Sequence, residues 1–171
     1  MIHQGKKNYP VTEVILHCSA TAPEWMKDKS LEAKVEEITN WHKARGWKRE
    51  GYHWFIDRDG KLAKGRPMTM IGAHCKERNR GTIGVCLLGG HGSSATDRFE
   101  ENFTPAQRKA TWALLKSISE ATDLRTVTGH NRYAAKACPG FDVPIEFPWP
   151  EDKPDEGVGS MLGQLLERVG L

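Results

Sequence analysis

The sequence lacks any apolar run of membrane-spanning length, about 20 residues, so no membrane-embedded body is expected. Its first ten residues, MIHQGKKNYP, lack the apolar core of a secretory signal peptide. Synthesis in a cytoplasm is therefore expected, with any later export needing outside help. Charge of one sign is also scarce. Lys and Arg number 25 against 22 Asp and Glu, a net +3. That is far from the basic footprint of a nucleic-acid binder, although it permits attraction to anionic polymers. There is no HExxH helix, which excludes the metalloprotease arrangement with a helical Glu base. No internal repeat and no low-complexity tract appear, and 171 residues suit one domain with a real core. Cysteine is limited to Cys18, Cys75, Cys86 and Cys138. Parity would allow two disulfides, but a cytoplasmic origin argues against them.

What is present is a set of alternating elements. Residues 1–10 read as a polar extension, frayed or an edge strand. Val11–Cys18 (VTEVILHC) is rich in β-branched and apolar residues and reads as a buried central strand ending on His17. Ser30 is an N-cap for an amphipathic helix over Leu31–Arg45, with Gly46 beyond its end. On that helix His42 reads as a structural histidine. Gly51–Ile56 is the next strand, and Asp57–Gly60 signals a hairpin turn into Lys61–Gly65. Alternation places Tyr52, Trp54 and Ile56 on one face and His53 and Phe55 on the other. Thr82–Leu88 is a second central strand, Gly89–Asn102 a long surface loop, and Thr104–Pro105 opens a helix running to about Thr122. Leu124–Gly129 is a short strand that delivers His130. The Pro-rich stretch from Asp142 reads as an extended wrap, followed by a short helix over 158–171 packed on the body. The alternation predicts an α/β fold, a single mixed central β-sheet flanked by helices on both faces.

The stretch around which the rest is organised is His130–Phe141, HNRYAAKACPGF. It brings a His, a Lys and a Cys within nine residues and closes on Pro139-Gly140. Imidazole and thiolate are the ligands zinc favours. The His130–Cys138 spacing exceeds one helical turn, so a folded-back loop must bring them together. A third ligand is then needed from elsewhere, and His17 at the end of its strand is the leading candidate.

Seven words in order now carry a resemblance: VILHCSAT (14–21), WHKARGW (41–47), GYHWFIDRDG (51–60), GAH (72–74), TIGVCLLGG (82–90), FTPAQ (103–107) and GHNRYAAKACPGF (129–141). The chain resembles the zinc-dependent N-acetylmuramoyl-L-alanine amidases of the type shared by small phage lysozymes and peptidoglycan recognition proteins. It is most similar to the short phage enzymes. The resemblance covers most of 11–143, which it marks as the catalytic domain, leaving 1–10 as an extension and 144–171 as a tail. It implies one zinc per chain held by His17, His130 and Cys138, with Tyr52 and Lys136 as the catalytic side chains. It implies a substrate-contact role for His74 in the cleft wall and, less directly, for Asn79. The loop 76–81 departs from the phage pattern.

The implied reaction is hydrolysis of the amide between the lactyl group of N-acetylmuramic acid and L-alanine of the stem peptide, causing host wall lysis. Zinc would polarise the carbonyl and activate water. Lys136 would stabilise the oxyanion, and Tyr52 would donate a hydrogen bond nearby. A Cys138 nucleophile with His130 as base leaves His17 and Tyr52 without roles. Other readings are a cytoplasmic amidase that recycles muropeptides and a non-catalytic peptidoglycan-binding module. A regulatory protein partner is a further role known among the short phage members. A monomer is expected, acting on peptidoglycan, with no nucleic acid and no integral membrane contact.

Overall fold

The computed structural model describes residues 1–150; the helix expected over 158–171 lies outside the described residues. Its centre is a five-stranded sheet in the order β5-β4-β6-β3-β7, built from β3 (Glu13–Cys18), β4 (Trp54–Ile56), β5 (Leu62–Lys64), β6 (Thr82–Leu87) and β7 (Thr126–Gly129). Strands β4, β6, β3 and β7 run parallel, and β5 pairs antiparallel with β4 through the hairpin at Asp57–Gly60. The sheet is thus mixed, as the alternation of elements predicts.

The two central strands of six residues, β3 and β6, are buried along their whole length. They read as continuous apolar runs because both faces of the sheet are covered. On one face Val14, Leu16, Ile56, Val85 and Leu87 pack against Trp112, Leu115 and Ile118 of α3 (Pro105–Ala121). That helix starts as its sequence dictates, with Thr104 and Gln107 closing a capping box around Pro105. On the other face Phe55 and Cys86 pack against Leu31 and Ile38 of α1 (Leu31–Ala44). Ser30 caps α1 by accepting from the Ala33 amide at 3.3 Å.

Several expectations need correction. Residues 1–10 are neither frayed nor an edge strand of the main sheet. They form a two-stranded hairpin, β1 (His3–Gln4) with β2 (Tyr9–Pro10). Gln4 is fully buried, where it donates to the Thr82 carbonyl at 2.9 Å and accepts from the Gly81 amide at 3.0 Å. The loop 89–102 ends in a helical turn, α2 (Phe99–Asn102), because Phe99 is drawn into an aromatic cluster with Phe103, Phe141 and Phe147. After Phe141 the chain makes another turn, α4 (Val143–Glu146), rather than running extended at once. Phe147 is buried and the Trp149 indole donates to the Leu124 carbonyl at 3.1 Å, so the chain stays on the core at least to Trp149.

Tyr52 also departs from its expected face. It packs with Phe55 on the α1 side, ring centroids 5.7 Å apart, while Trp54 and Ile56 join the α3 side. Period-two alternation holds only within a strand, and β4 begins at Trp54.

One ion pair ties α1 to the hairpin. Lys34 and Asp57 are 7% and 6% exposed, with Nζ 2.7 Å from Oδ2 and 3.0 Å from Oδ1. Removing one partner of a buried pair strands the other charge, which costs about 3–5 kcal/mol. Lys34→Met should therefore lower the unfolding free energy by about that amount. Adding Asp57→Asn to it should restore part of the loss, as read by urea denaturation. A single variant as stable as the parent would show that Asp57 finds other compensation.

Candidate metal centre and cleft

The register of the sheet places two of the site residues. β3 and β7 pair in parallel with Leu16 opposite Gly129. The next residue on each chain is a histidine, so His17 and His130 emerge side by side at the carboxyl ends of adjacent strands. Their ring centroids lie 4.7 Å apart. His130 opens a 3-10 turn (His130–Arg132), which bends the chain back over the strand ends. The Asn131 amide donates to the Cys138 carbonyl at 2.7 Å, closing the loop that the spacing requires. Cys138 Sγ then lies 3.8 Å from His17 Nδ1 and accepts from the Cys18 amide at 3.3 Å.

One ring nitrogen each of His17 and His130 and the Cys138 Sγ all fall within 4.8 Å of one another. Among the described residues no fourth His, Cys, Asp or Glu joins this group. Two imidazoles and one thiol, with one position left over, form the donor set of a catalytic zinc site. Burial, then the nearby rings of His74 and His130, holds His17 well below the ordinary histidine range. Burial and then Lys136 lower His130 as well. Both rings are therefore neutral near pH 7 and offer lone pairs. The Cys18 thiol and burial hold the Cys138 thiol up, so taking a metal there means displacing a proton.

Beside this group runs an open cleft of about 620 Å³, lined among others by Tyr52, His74, Lys76, Asn79, His130 and Lys136. Tyr52 lies against His17, centroids 5.1 Å apart. Burial pushes its phenol well above the usual tyrosine range, so it stays an O–H donor. Lys136 is exposed at the cleft. His42 accepts from the Gly51 amide at 3.1 Å and stacks against Trp47 and Tyr52, which is the structural role read from its helix. His74 is 7% exposed and lies behind His17, with its Nδ1 3.0 Å from His17 Nε2. Asn79 turns its Oδ1 inward to accept from the amides of His74 and Cys75, at 2.8 and 3.0 Å.

Sequence reading missed the clamp that holds the 130–138 loop. Glu13 is 4% exposed and accepts from Thr128 at 2.6 Å, Tyr133 at 2.5 Å and Arg78 at 2.8 Å. The Arg78 guanidinium also covers the Tyr133 ring at 4.6 Å. One buried carboxylate thus joins β3, β7, the 74–80 loop and the loop that carries Cys138. The available signal was an acid inside the apolar run VTEVILHC.

A five-stranded mixed sheet whose strand ends present two histidines, with a cysteine brought to them by a loop and a tyrosine and a lysine alongside, defines an amidase of the peptidoglycan-recognition architecture. The profile of the N-acetylmuramoyl-L-alanine amidase family matches residues 7–141, and the chain belongs to that family. It is 39% identical over 140 residues to the endolysin of Escherichia phage T7, covering 82% of this chain and 87% of that one. Among solved structures it superposes on the N-acetylmuramoyl-L-alanine amidase LysC from Clostridium intestinale with a TM-score of 0.64 at 24% identity, covering 81% and 82%. It also superposes on the complex of peptidoglycan recognition protein ectodomains LCa and LCx bound to tracheal cytotoxin, with a TM-score of 0.67 at 26% identity and 88% of each chain.

The buried histidines make stability depend on pH. His53 is 1% exposed and burial lowers it to about 4, against 6.5 for the ordinary side chain. The unfolded ring gains a proton as pH falls below 6.5, while the folded ring stays neutral to about 4. Stability is complete above that window and falls as pH falls through it, by about 3 kcal/mol for His53 alone. His17 and His74 are shifted in the same direction and add to the slope. Urea midpoints of chelator-treated protein should drop steadily from pH 7 to pH 4.5. A flat profile would mean that these rings are not buried neutral.

Proposed function

We propose that this protein is a peptidoglycan hydrolase of the phage-endolysin type. It cleaves the amide between N-acetylmuramic acid and the L-alanine of the stem peptide. The observation that carries the reading is the convergence of His17, His130 and Cys138 at one sheet end, directly beside Tyr52 and the Lys136 ammonium. The donor set fits one zinc ion per chain. When bound, zinc supplies a Lewis acid that polarises the scissile carbonyl and activates water near neutral pH.

The other roles fall to the chain's own side chains. Tyr52, kept protonated by burial, donates a hydrogen bond to the negative charge developing on the carbonyl oxygen. Lys136 brings a full positive charge to the same oxygen from the cleft side. Arg45 and Lys76 line the same cleft and attract the carboxylates of a stem peptide. The 130–138 loop carries Cys138 and Lys136 to the site and is held by Tyr133 on Glu13. Every one of these groups comes from a single chain, so the site needs no second subunit to be complete, and we read the enzyme as a monomer. We read the protein as made in a host cytoplasm and reaching the wall by release from it. Among the described residues no helix is long and apolar enough to cross a membrane.

The deciding experiment is mass spectrometry of products from purified sacculi, with and without chelator. Stem peptides with a free L-alanine amine and intact glycan strands are expected, and only without chelator. Cleaved glycan, or binding with no products, would overturn the assignment. Cys138→Ser should lose both zinc and turnover, because a hydroxyl is a far poorer ligand than a thiolate. Tyr52→Phe and Lys136→Ala should keep zinc but lose about a hundredfold in turnover, if each removes one transition-state donor. Full zinc occupancy in Cys138→Ser, or parental rates in the other two, would move the roles elsewhere.

A further inference from the structure

A ligand histidine is useful only if the correct nitrogen carries its lone pair. The hydrogen bonds behind His17 settle that question from the far end. Thr82 Oγ1 lies 2.6 Å from the Arg78 carbonyl oxygen. A carbonyl only accepts, so the single Thr82 hydroxyl proton is committed there. The same oxygen lies 3.3 Å from His74 Nε2, and it must be the acceptor in that pair. His74 Nε2 therefore carries its ring proton. A neutral imidazole has one N–H, so His74 Nδ1 is a lone pair. That lone pair faces His17 Nε2 at 3.0 Å, so His17 Nε2 is the donor. His17 Nδ1 is left bare, and it is the nitrogen that looks toward Cys138 Sγ.

The slot that holds His74 is cut for it. A Cβ on Gly84 would come within 2.4 Å of His74 Cγ, and one on Gly72 within 2.4 Å of His74 Cδ2. Gly84 lies in the middle of a fully buried strand, where an absent side chain weakens packing unless something else fills the space. Here the imidazole fills it. The Asn79 bonds to the His74 and Cys75 amides hold the backbone from the other side.

We propose that His74 is a positioning residue for the metal centre. Its ring passes a one-way hydrogen-bond relay from His17 to Thr82 and the Arg78 carbonyl, and this relay fixes His17 with its Nδ1 lone pair turned toward Cys138 and His130. The inference rests on the reading of His17 as a ligand, and it replaces substrate contact as the role of His74. Partners of this kind behind a ligand histidine set ring orientation and basicity, and losing one typically costs on the order of 10–100-fold in metal affinity.

Two measurements test it, and neither uses catalysis. The first is the long-range proton–nitrogen spectrum of 15N-labelled, chelator-treated protein. Both His17 and His74 should show a protonated Nε2 and a bare Nδ1. A protonated Nδ1 on His17 would overturn the relay, whatever the enzyme's activity. The second is zinc affinity by competition with a chromophoric chelator. His74→Phe should bind zinc about 10–100-fold more weakly. His74→Asn, whose amide oxygen can replace Nδ1 as acceptor, should recover most of that loss. Thr82→Val should fall between the parent and His74→Phe. Parental zinc affinity in His74→Phe would overturn the proposal, as would equal losses in the Phe and Asn variants. If the Phe variant does not fold, the parent spectrum and the Asn variant still decide. Failure of the ligand reading itself would appear separately, as full zinc binding by His17→Ala.

Discussion

The parallel pairing of β3 with β7 is the constraint on which the site depends. With Leu16 opposite Gly129, the two chains leave the sheet in step, each on a histidine. A slip of one residue would turn one of the rings to the opposite face of the sheet. Register is held by burial on both faces, since Val14 and Leu16 face α3 while Ile15 and His17 face the other way. Glu13 adds a polar lock at the start of the same strand by gripping Thr128 of β7. The site is therefore as precise as the sheet, although one of its three metal-facing residues comes from a loop.

That loop would be the weak member if it were held only by its ends. The Asn131–Cys138 bond closes it, and the Tyr133–Glu13 bond fastens its middle to the strand that carries His17. A hydroxyl on a buried carboxylate is among the stronger neutral-donor hydrogen bonds. Because Arg78 grips the same carboxylate, the 74–80 loop that lines the cleft is tied to the same point. Two of the segments that line the cleft thus refer their positions to one side chain on the central sheet.

Much of this was legible in the chain. The two buried strands, the caps at Ser30 and Thr104, and the Asp57–Gly60 turn depend on local patterns that survive folding. So did the grouping of a His, a Lys and a Cys in one segment. What was not legible depended on distant partners. Gln4 looks like a polar terminal residue until the Gly81–Thr82 backbone is placed beside it. Phe99 looks like an apolar residue in a polar loop until Phe141 and Phe147, some forty residues away, are folded onto it. Alternation predicts the wrong face for Tyr52 because the strand itself starts two residues later, at Trp54. His74 was read as part of the cleft wall, and nothing in GAH (72–74) announces that its ring backs onto His17.

The location of polarity follows one rule across the sheet. The α3 face is filled mostly with aliphatic and aromatic side chains, while the α1 face holds His17, His53, His74 and Tyr52. Such groups are costly to bury unless each polar atom finds a partner. Here the partners are backbone groups for His53 and neighbouring side chains for His17 and His74. The Gly84 amide donates to His53 Nδ1 at 2.9 Å, and the missing Gly84 side chain admits His74. The same glycine thus satisfies one buried histidine and makes room for another. A single residue without a side chain, opposite Ile15 in the pairing of β6 with β3, is what lets an apolar sheet carry a polar interior on one side only. The acid sensitivity of the fold is the physical counterpart of that arrangement. Rings kept neutral by burial are available as lone pairs near pH 7, and the same burial makes protonation destabilising below it.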